Sequence, residues 1–243
     1  MQERSFLDER LRIIEENYKV IKANIEKAAL SVNRNPDEIR LMAVTKTVEP
    51  IYIKHAINLG IDLIGENRVQ EYLSKEEEIM KNEKKPEVHI IGHLQTNKVS
   101  KIIDKVDMIE SLDSVKLAKE ISKRAVKAGV TMPVLVEVNI GREESKTGFD
   151  PDEVIDGIYE ITELEGIKIK GLMCIPPVCD SEKEAMAYFD AISKLFIDIK
   201  DKKIDNVDMQ ILSAGMSQDY EAAIKCGSNL VRIGSALFGA RIY

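Results

Sequence analysis

Cysteine is scarce in this sequence, which has neither a long apolar run nor an excess of basic residues. The three cysteines, Cys174, Cys179 and Cys226, are an odd number without the paired spacing of a metal site, so we expect reduced thiols in a cytoplasmic protein. No apolar stretch approaches the roughly 20 residues that a membrane-spanning helix needs. The net charge of −7 offers no basic surface to a nucleic-acid backbone or an anionic membrane. The N-terminal stretch MQERSFLDER is charged and amphipathic, unlike a secretory signal.

The composition is that of a globular chain with enough apolar residues for one large core. Of the 243 residues, 44% are hydrophobic, and a single α/β barrel typically needs about 250 residues. An apolar stripe at alternating spacings of four and three predicts one helix over residues 5–32. The stripe consists of Leu7, Leu11, Ile14, Tyr18, Ile21 and Ile25. Because it is short for a coiled coil, we expect it to pack on the protein's own body rather than to form a dimer.

From residue 39 onward, short apolar runs alternate with amphipathic segments. The eight runs are IRLMAVTK (39–46), DLIGEN (62–67), VHIIGHLQ (88–95), DMIESLD (107–113), PVLVEVNIG (133–141), IKGLMCIP (169–176), MQILSAG (209–215) and NLVRIGSALFG (229–239). Strands that alternate with helices form parallel β-α units whose strands are covered on both faces. We therefore predict one domain over residues 1–243, an α/β fold consisting of a single (β/α)8 TIM barrel with an additional N-terminal helix. A doubly wound open sheet is the alternative.

The first run ends on a cation, Lys46. Function in this barrel fold is carried at the C-terminal ends of the strands. Alternate residues of a strand share a face, so Lys46 is expected on the same side as Val44 and Met42. If that side is the interior, the amine stands at the mouth of an apolar tube, where burial disfavours the charged form of a lysine. Such a lysine is a Schiff-base nucleophile toward a carbonyl, and the alternative is a solvated lysine at the start of a loop.

Runs seven and eight are each followed by glycine and small hydroxyl residues directly before a helix. Free N–H groups at a helix start bind phosphate, and the loops after strands 7 and 8 are a frequent phosphate site of this fold. Ser213, Gly234 and Ser235 are therefore candidate phosphate ligands. Strands 8 and 1 are neighbours in a closed barrel, so a phosphate there and the amine of Lys46 can hold the two ends of one small ligand.

Three charged or titratable positions have both a functional and a structural interpretation. Arg232 shares a face with Gly234 and needs an acceptor in the barrel mouth, and an ion pair with Glu137 is its structural explanation. His89 and His93 lie on a strand, where four residues span about 13 Å, so they cannot chelate one metal ion. We predict no metal site, and we interpret His93 as a hydrogen-bonding residue near the mouth of strand 3 rather than a ligand contact.

Three further features favour simple structural explanations. Cys174 is expected to be a small buried hydrophobe rather than a pocket residue. The polar segment 141–149, which holds Lys146, is interpreted as a solvated loop, with a mobile flap over a ligand as the functional hypothesis. The charged stretch SKEEEIMKNEKK (74–85) is interpreted as a solvent-exposed face.

Several of these stretches together resemble a known family. The segments LMAVTK, LIGENRVQE, HIIGHLQTNK, EVNIGREESKTG, GLMCIPP and LSAGMSQDYEAAIKCGSNLVRIGSALFGAR look like the pyridoxal-phosphate-binding homeostasis family, which is similar to the N-terminal barrel domain of alanine racemase. The resemblance covers nearly the whole chain. It implies a (β/α)8 barrel that binds pyridoxal 5′-phosphate covalently, with Lys46 carrying the Schiff base.

The resemblance also implies which residues surround the cofactor. They are Ser213, Gly234 and Ser235 at the phosphate, Arg232 at the pyridine nitrogen, and Asn67 and Met173 beside the ring. An arginine at the nitrogen donates a hydrogen bond and keeps the nitrogen unprotonated, so the ring is a poorer electron sink than with an aspartate partner. No role is carried over to Glu137, where we expect glutamine in many relatives.

The function that the resemblance implies is that of a cofactor carrier, without catalytic residues. It would bind pyridoxal phosphate reversibly, control its free level or deliver it to apo-enzymes, and act as a cytoplasmic monomer. One alternative is an amino-acid racemase or deaminase on the same cofactor. A racemase needs a second acid or base on the opposite face of the ring, and the sequence stops at Tyr243, shortly after strand 8. The other alternative is a cofactor-free aldolase-type barrel, in which Lys46 attacks a sugar phosphate.

Overall fold

Eight parallel strands close into one barrel in the order of the sequence. The computed structural model describes residues 2–239, and Tyr243 lies outside the described residues. The strands are β1 (Arg40–Val44), β2 (Leu63–Glu66), β3 (Glu87–Ile90), β4 (Met108–Leu112), β5 (Met132–Val138), β6 (Ile167–Cys174), β7 (Val207–Ser213) and β8 (Leu230–Ile233). Each of the eight predicted runs overlaps one of these strands, and β8 pairs with β1, so the predicted barrel is confirmed and the open sheet is wrong.

Helices follow the strands and surround the barrel. They are α1 (Gln2–Ser31), α2 (Pro50–Asn58), α3 (Val69–Met80), α4 (Thr96–Val99), α5 (Val115–Ala128), α6 (Val154–Thr162), α7 (Glu182–Asp201), α8 (Tyr220–Lys225) and α9 (Ser235–Phe238). Serine side chains cap two of them, because Ser114 accepts the Leu117 amide and Ser181 accepts the Glu184 amide. None of the described helices is long and apolar enough to cross a membrane.

The N-terminal helix packs on the barrel's own helices. Ile14, Ile21 and Ile25 of the predicted stripe are buried in the main core. Two asparagines add hydrogen bonds across the sequence. Asn17 donates to the Leu237 carbonyl at 3.0 Å, and Asn24 donates to the Tyr220 hydroxyl at 3.0 Å. The predicted helix is therefore confirmed, and its apolar side packs against the rest of the chain.

Strand alternation divides the apolar residues into two layers. On β1, Leu41 and Ala43 join the main core between the strands and the helices. Met42 and Val44 belong instead to a small cluster inside the barrel, with Leu63, Ile91 and Leu230. A second interior cluster contains Met108, Leu135 and Met173. The inner faces of the strands therefore fill the interior of the barrel. Because the strands are parallel, their C-terminal ends meet at one open end of it.

Candidate functional site

A cavity of about 1050 Å³ opens at the C-terminal ends of the strands. Residues that follow β1, β2, β6, β7 and β8 border it, together with one side of α1. Five of the seven predicted site residues line it, namely Lys46, Asn67, Arg232, Gly234 and Ser235. The other two, Met173 and Ser213, are fully buried in the barrel interior. Their predicted contacts with a ligand stay predictions, whereas the other five share one open space.

Lys46 stands two residues beyond the end of β1, in the wall of this cavity. It is half-buried, and Val44 from the same face of the strand lines the cavity with it. The next residue, Thr47, has a φ of 61°, in the left-handed region that β-branched residues rarely adopt. The Thr47 amide donates a hydrogen bond to Oε1 of Glu71 on α3 at 2.5 Å. The turn that carries Lys46 is thus held in an unusual backbone conformation by a neighbouring helix.

A buried ion cluster lies directly behind this turn. The Lys75 ammonium contacts Oε1 of Glu66 at 2.7 Å and Oε1 of Glu71 at 3.0 Å, and it donates to the Thr45 carbonyl at 2.9 Å. The interpretation of the stretch 74–85 as a solvent-exposed face is wrong at Lys75, which is only 7% exposed. Burial raises the pKa of Glu66, and the Lys75 ammonium opposes that shift. Removing one partner of such a pair costs about 3–5 kcal/mol of stability.

Two backbone amides converge on one oxygen at the end of β8. The amides of Gly234 and Ala236 donate to Oγ of Ser217 at 3.3 and 3.2 Å, and all three residues line the cavity. A Cβ built on Gly234 would stand 3.4 Å from both Cβ and O of Val44, so this segment lies against the end of β1. Ser217 is a site residue that the sequence pattern does not single out, although it lies in the glycine and serine loop after strand 7.

Arg232 closes the inner end of the cavity and is 3% exposed. Its two terminal nitrogens donate to Oγ of Ser213 at 2.6 Å and to the Cys174 carbonyl at 2.8 Å. Among the described residues, no carboxylate oxygen lies within ion-pair distance of Arg232, so the ion pair with Glu137 is wrong. The guanidinium instead reaches Glu110 through Ser213, whose hydroxyl donates to Oε2 of Glu110 at 2.6 Å.

Glu110 extends this network toward the opposite end of the barrel. Its Oε1 lies 2.6 Å from Nδ1 of His89. Burial is the largest influence and opposes charge on both groups, but the surrounding hydrogen bonds and opposite charges together outweigh it. The pKa of His89 is therefore raised and the pKa of Glu110 is lowered. The Ser213 hydroxyl is thus hydrogen-bonded to both Arg232 and Glu110, whereas Ser217 and Ser235 line the cavity.

The remaining sequence candidates, His93, Glu137 and Cys174, are not among the residues that line the cavity. Nδ1 of the exposed His93 is 2.7 Å from Oδ2 of Asp113, which is the hydrogen-bonding role predicted for His93. Burial raises the pKa of Glu137, and Oε1 of Glu137 accepts a hydrogen bond from the Thr147 hydroxyl at 3.1 Å. Cys174 packs in the layer between strands and helices, and burial raises its pKa to about 12, so its interpretation as a small buried hydrophobe is confirmed.

The loop 141–149 is attached to the barrel at both ends. The Phe149 amide donates to the Glu137 carbonyl at 2.8 Å, and the Asn139 side chain donates to the Glu143 carbonyl at 2.9 Å. Lys146 forms an ion pair with Glu143 and donates to the Pro176 carbonyl at 3.3 Å. A flap motion of this loop stays a prediction.

The described residues also contain no group of three His, Cys, Asp or Glu side chains placed to hold a metal ion.

Comparison with known proteins identifies the family. Residues 16–242 match the family model described as the alanine racemase N-terminal domain. The chain is 42% identical over 220 residues to the pyridoxal phosphate homeostasis protein of Aquifex aeolicus, covering 90% of this chain and 94% of that protein. The chain belongs to the pyridoxal phosphate homeostasis protein family.

Solved structures of similar proteins share the barrel. A crystal structure of an unknown protein from Bifidobacterium adolescentis is 36% identical, with a TM-score of 0.88 and coverage of 95% of this chain and 96% of that one. PipY of Synechococcus elongatus, in a structure with pyridoxal phosphate bound, is 27% identical with a TM-score of 0.81. That comparison covers 93% of this chain and all of PipY. Both solved structures thus share this fold with the chain over nearly their whole length.

Proposed function

We propose that this protein binds pyridoxal 5′-phosphate reversibly, holds it as a Schiff base on Lys46, and takes part in the intracellular homeostasis of vitamin B6. The observation that carries the proposal is one cavity lined both by Lys46 and by the converging amides of Gly234 and Ala236. The bound cofactor in PipY and the names of the relatives support it. In this proposal the protein is a cytoplasmic, monomeric, single-domain carrier that supplies apo-enzymes.

The residues present fit a phosphorylated aldehyde. Ser217 Oγ already occupies the position of an oxygen acceptor for two backbone amides, which a phosphate oxygen can take over. Ser235, which follows Gly234 in the cavity wall, adds a hydroxyl donor. Oδ1 of Asn67 is buried, lines the same cavity and has no hydrogen-bond partner among the described residues, so it can accept from a ring hydroxyl.

Pyridoxal phosphate supplies an aldehyde that condenses with an amine, and a ring that withdraws electrons when its nitrogen is protonated. Arg232 lines the cavity, and as a permanent cation it would donate a hydrogen bond to the ring nitrogen of the bound cofactor, which would leave that nitrogen without a proton. Its other hydrogen bonds, to Ser213 and Cys174, hold the guanidinium in the barrel interior. This placement favours storage of the cofactor over reactions that need a strong electron sink.

Tyr220 supports the carrier over the racemase. It is the tyrosine among the described cavity-lining residues, and its hydroxyl accepts a hydrogen bond from Asn24 of α1. Burial raises the pKa of Tyr220, which makes the phenol a poor base at neutral pH. The match to the alanine racemase N-terminal domain nevertheless keeps a weak racemase-like activity as the second candidate.

Two measurements on the purified protein separate these functions. Adding pyridoxal phosphate should produce a visible Schiff-base absorption that borohydride abolishes, with the added mass located on Lys46. A protein that remains colourless, or a label on other lysines, would refute cofactor binding at this site. It would favour the alternative of a cofactor-free aldolase-type barrel. Amino acids are then added in deuterium oxide. Stoichiometric release of the cofactor without deuterium at the α-carbon supports the carrier, and deuterium incorporation over many turnovers supports the racemase.

A further inference from the structure

The turn that carries Lys46 is held on both sides by the same buried charges. We call the side chains of Lys75, Glu66 and Glu71 the Lys75 cluster. Before Lys46, the Lys75 ammonium donates to the Thr45 carbonyl at 2.9 Å, and the Thr45 hydroxyl donates to Oε1 of Glu66 at 2.6 Å. After Lys46, the Thr47 amide donates to Oε1 of Glu71. Both peptide neighbours of the amine-bearing residue are therefore fixed by the Lys75 cluster.

The cluster joins three elements behind the cavity. Glu66 is the last residue of β2, whereas Glu71 and Lys75 lie one turn apart on α3. The side chains of Glu66 and Lys75 are 0% and 8% exposed, so solvent does not screen their contact. Thr45 also donates its amide to the Gly65 carbonyl at 3.0 Å, which ties the end of β1 to β2. The turn thus has little freedom to shift relative to β2 and α3.

Burying an ion pair is an inefficient way to stabilise a fold. Apolar residues of similar volume at such positions often give equal or greater stability. Hydrogen bonds to charged groups do fix orientation. Here the ammonium and the two carboxylates bind the Thr45 carbonyl, the Thr45 hydroxyl and the Thr47 amide, all in one turn. The backbone at Thr47 is also in the left-handed region, with φ of 61°, and therefore needs an external contact to persist.

We propose that Lys75, Glu66 and Glu71 are positioning residues that aim the amine of Lys46 at the carbonyl carbon of its ligand. The inference rests on the proposed function and deepens it. In the reaction that they serve, the Lys46 nitrogen attacks the aldehyde carbon, a C=N bond forms, the C–O bond breaks and one water leaves. No oxidant or reductant takes part. The Lys75 cluster touches neither reacting atom, and its contribution is the orientation of the attacking nitrogen.

Hydrogen exchange on the protein without cofactor tests the positioning directly. In Lys75→Met, the stem of the side chain is kept and the ammonium is lost. We expect faster exchange of the Thr47 and Val48 amides, since the carbonyl of Thr45, which accepts from both Lys75 and Val48, is released. The control is Lys54→Met, which removes a partly exposed cation that bridges α2 to Glu78 of α3. Unchanged exchange at both amides in Lys75→Met would overturn the proposal.

Ligand measurements then separate positioning from cofactor binding. Pyridoxine 5′-phosphate carries the phosphate and ring but no aldehyde. Its affinity should change by less than about twofold in Lys75→Met, because the amides of Gly234 and Ala236 that would bind the phosphate lie after β8, away from Lys75. The rate of Schiff-base formation with pyridoxal phosphate should fall by about tenfold or more, since misplacing a reacting atom by 1 Å can cost about a hundredfold. An unchanged rate with normal pyridoxine phosphate binding contradicts the proposal.

A double variant distinguishes orientation from general stability. Glu66→Gln/Lys75→Met removes both charges, so the unpaired buried charge of the single variant is gone and stability should recover. Schiff-base formation should stay slow if the cluster orients Lys46, whereas a merely stabilising cluster predicts recovery of both. If Lys75→Met fails to fold, Glu71→Gln replaces it, because Glu71 is the most exposed member. Failure of the parent protein to bind either ligand refutes the proposed function, and amide exchange still decides the positioning.

Discussion

Gly234 lies against Val44, with only 3.4 Å between the position of an added Cβ and the Val44 Cβ and carbonyl oxygen. The Val44 side chain shares a strand face with Lys46, and the Gly234 amide is one of the two that converge on Oγ of Ser217. Barrel closure brings the two together, since β1 and β8 pair directly with Met42 opposite Arg232. Lys46 and the amides of Gly234 and Ala236 therefore follow neighbouring strands, a spacing that would suit one small phosphorylated ligand.

Replacing Lys46 tests the covalent anchor. In Lys46→Ala, we expect loss of the borohydride-stable adduct, because the cavity-lining amine that would form the C=N bond is removed. Binding of pyridoxal phosphate should weaken without disappearing, since the amides of Gly234 and Ala236 are untouched. Equilibrium dialysis and intact-protein mass spectrometry measure the two effects. Colour indistinguishable from that of the parent protein would refute the assignment, and Lys54→Ala is the matched control.

Two serine variants decide which hydroxyl serves the phosphate. In Ser217→Ala, we expect about tenfold weaker affinity for pyridoxine 5′-phosphate, because one hydrogen-bonding group of the cavity wall is lost. In Ser213→Ala, we expect the affinity to change much less and the protein to be less stable by about 1–3 kcal/mol, because Arg232 and Glu110 lose a buried bridging group. Dialysis and urea unfolding provide the readouts. The reverse pattern would restore Ser213 as the phosphate ligand.

Most of the barrel could be predicted from the sequence, because its strands are continuous apolar runs separated by amphipathic segments. The last run shows where the pattern loses information. NLVRIGSALFG contains both β8 and the short helix α9, and an apolar run alone does not separate a buried strand from a buried helix. The alternation of inner and outer residues on β1 was also predictable, which placed Lys46 beside Val44 in the cavity.

Parts of the site depend on contacts that sequence patterns do not contain. Strand alternation predicts that Ser213 faces inward. Only the packed barrel shows that its hydroxyl accepts a hydrogen bond from the Arg232 guanidinium. Lys75 stands in a run of glutamates, which is typical of a solvated helix face, yet α3 turns it toward the end of β2. The position of Ser217 depends on how the loop after β7 meets the loop after β8.

Arg232→Ala should weaken retention of the cofactor, because the ring nitrogen loses its donor. We expect a correctly folded protein that is less stable by about 1–3 kcal/mol, since Ser213 and the Cys174 carbonyl each lose a buried hydrogen bond to Arg232. The rate of cofactor release after dilution and the urea midpoint measure the two effects. A lower urea midpoint with an unchanged rate of cofactor release would assign Arg232 a purely structural role.

The pair of His89 and Glu110 makes stability depend on pH. The pKa of His89 is raised above its ordinary 6.5, since hydrogen bonds to Glu110 and Glu87 outweigh burial. That contribution is complete below pH 6.5 and is lost as pH rises through the folded pKa. Burial opposes the charge of Glu110, but His89, Arg232 and Ser213 together lower its pKa below 4.5. This contribution is therefore complete above pH 4.5 and is lost as pH falls through the folded pKa.

The two contributions overlap between pH 4.5 and 6.5, where the pair stabilises the protein most. Urea unfolding over a pH series is the measurement. In His89→Gln, the decline of the unfolding free energy above pH 6.5 should become shallower than in the parent protein. His93→Gln removes an exposed histidine instead and is the control. Parallel pH profiles of the parent protein and His89→Gln would contradict a charged His89 in the barrel.

The three cysteines give an independent readout of cavity occupancy. Cys179 lines the cavity and is half-buried, whereas burial raises the pKa of both Cys174 and Cys226 to about 12. Since the thiolate is the reacting form, iodoacetamide at neutral pH should label Cys179 first, and the other two only after unfolding. Pyridoxine 5′-phosphate should slow the labelling of Cys179 by filling the cavity. Peptide mass spectrometry resolves the three sites, and labelling of Cys174 in the folded protein as fast as Cys179 would contradict its burial at the end of β6.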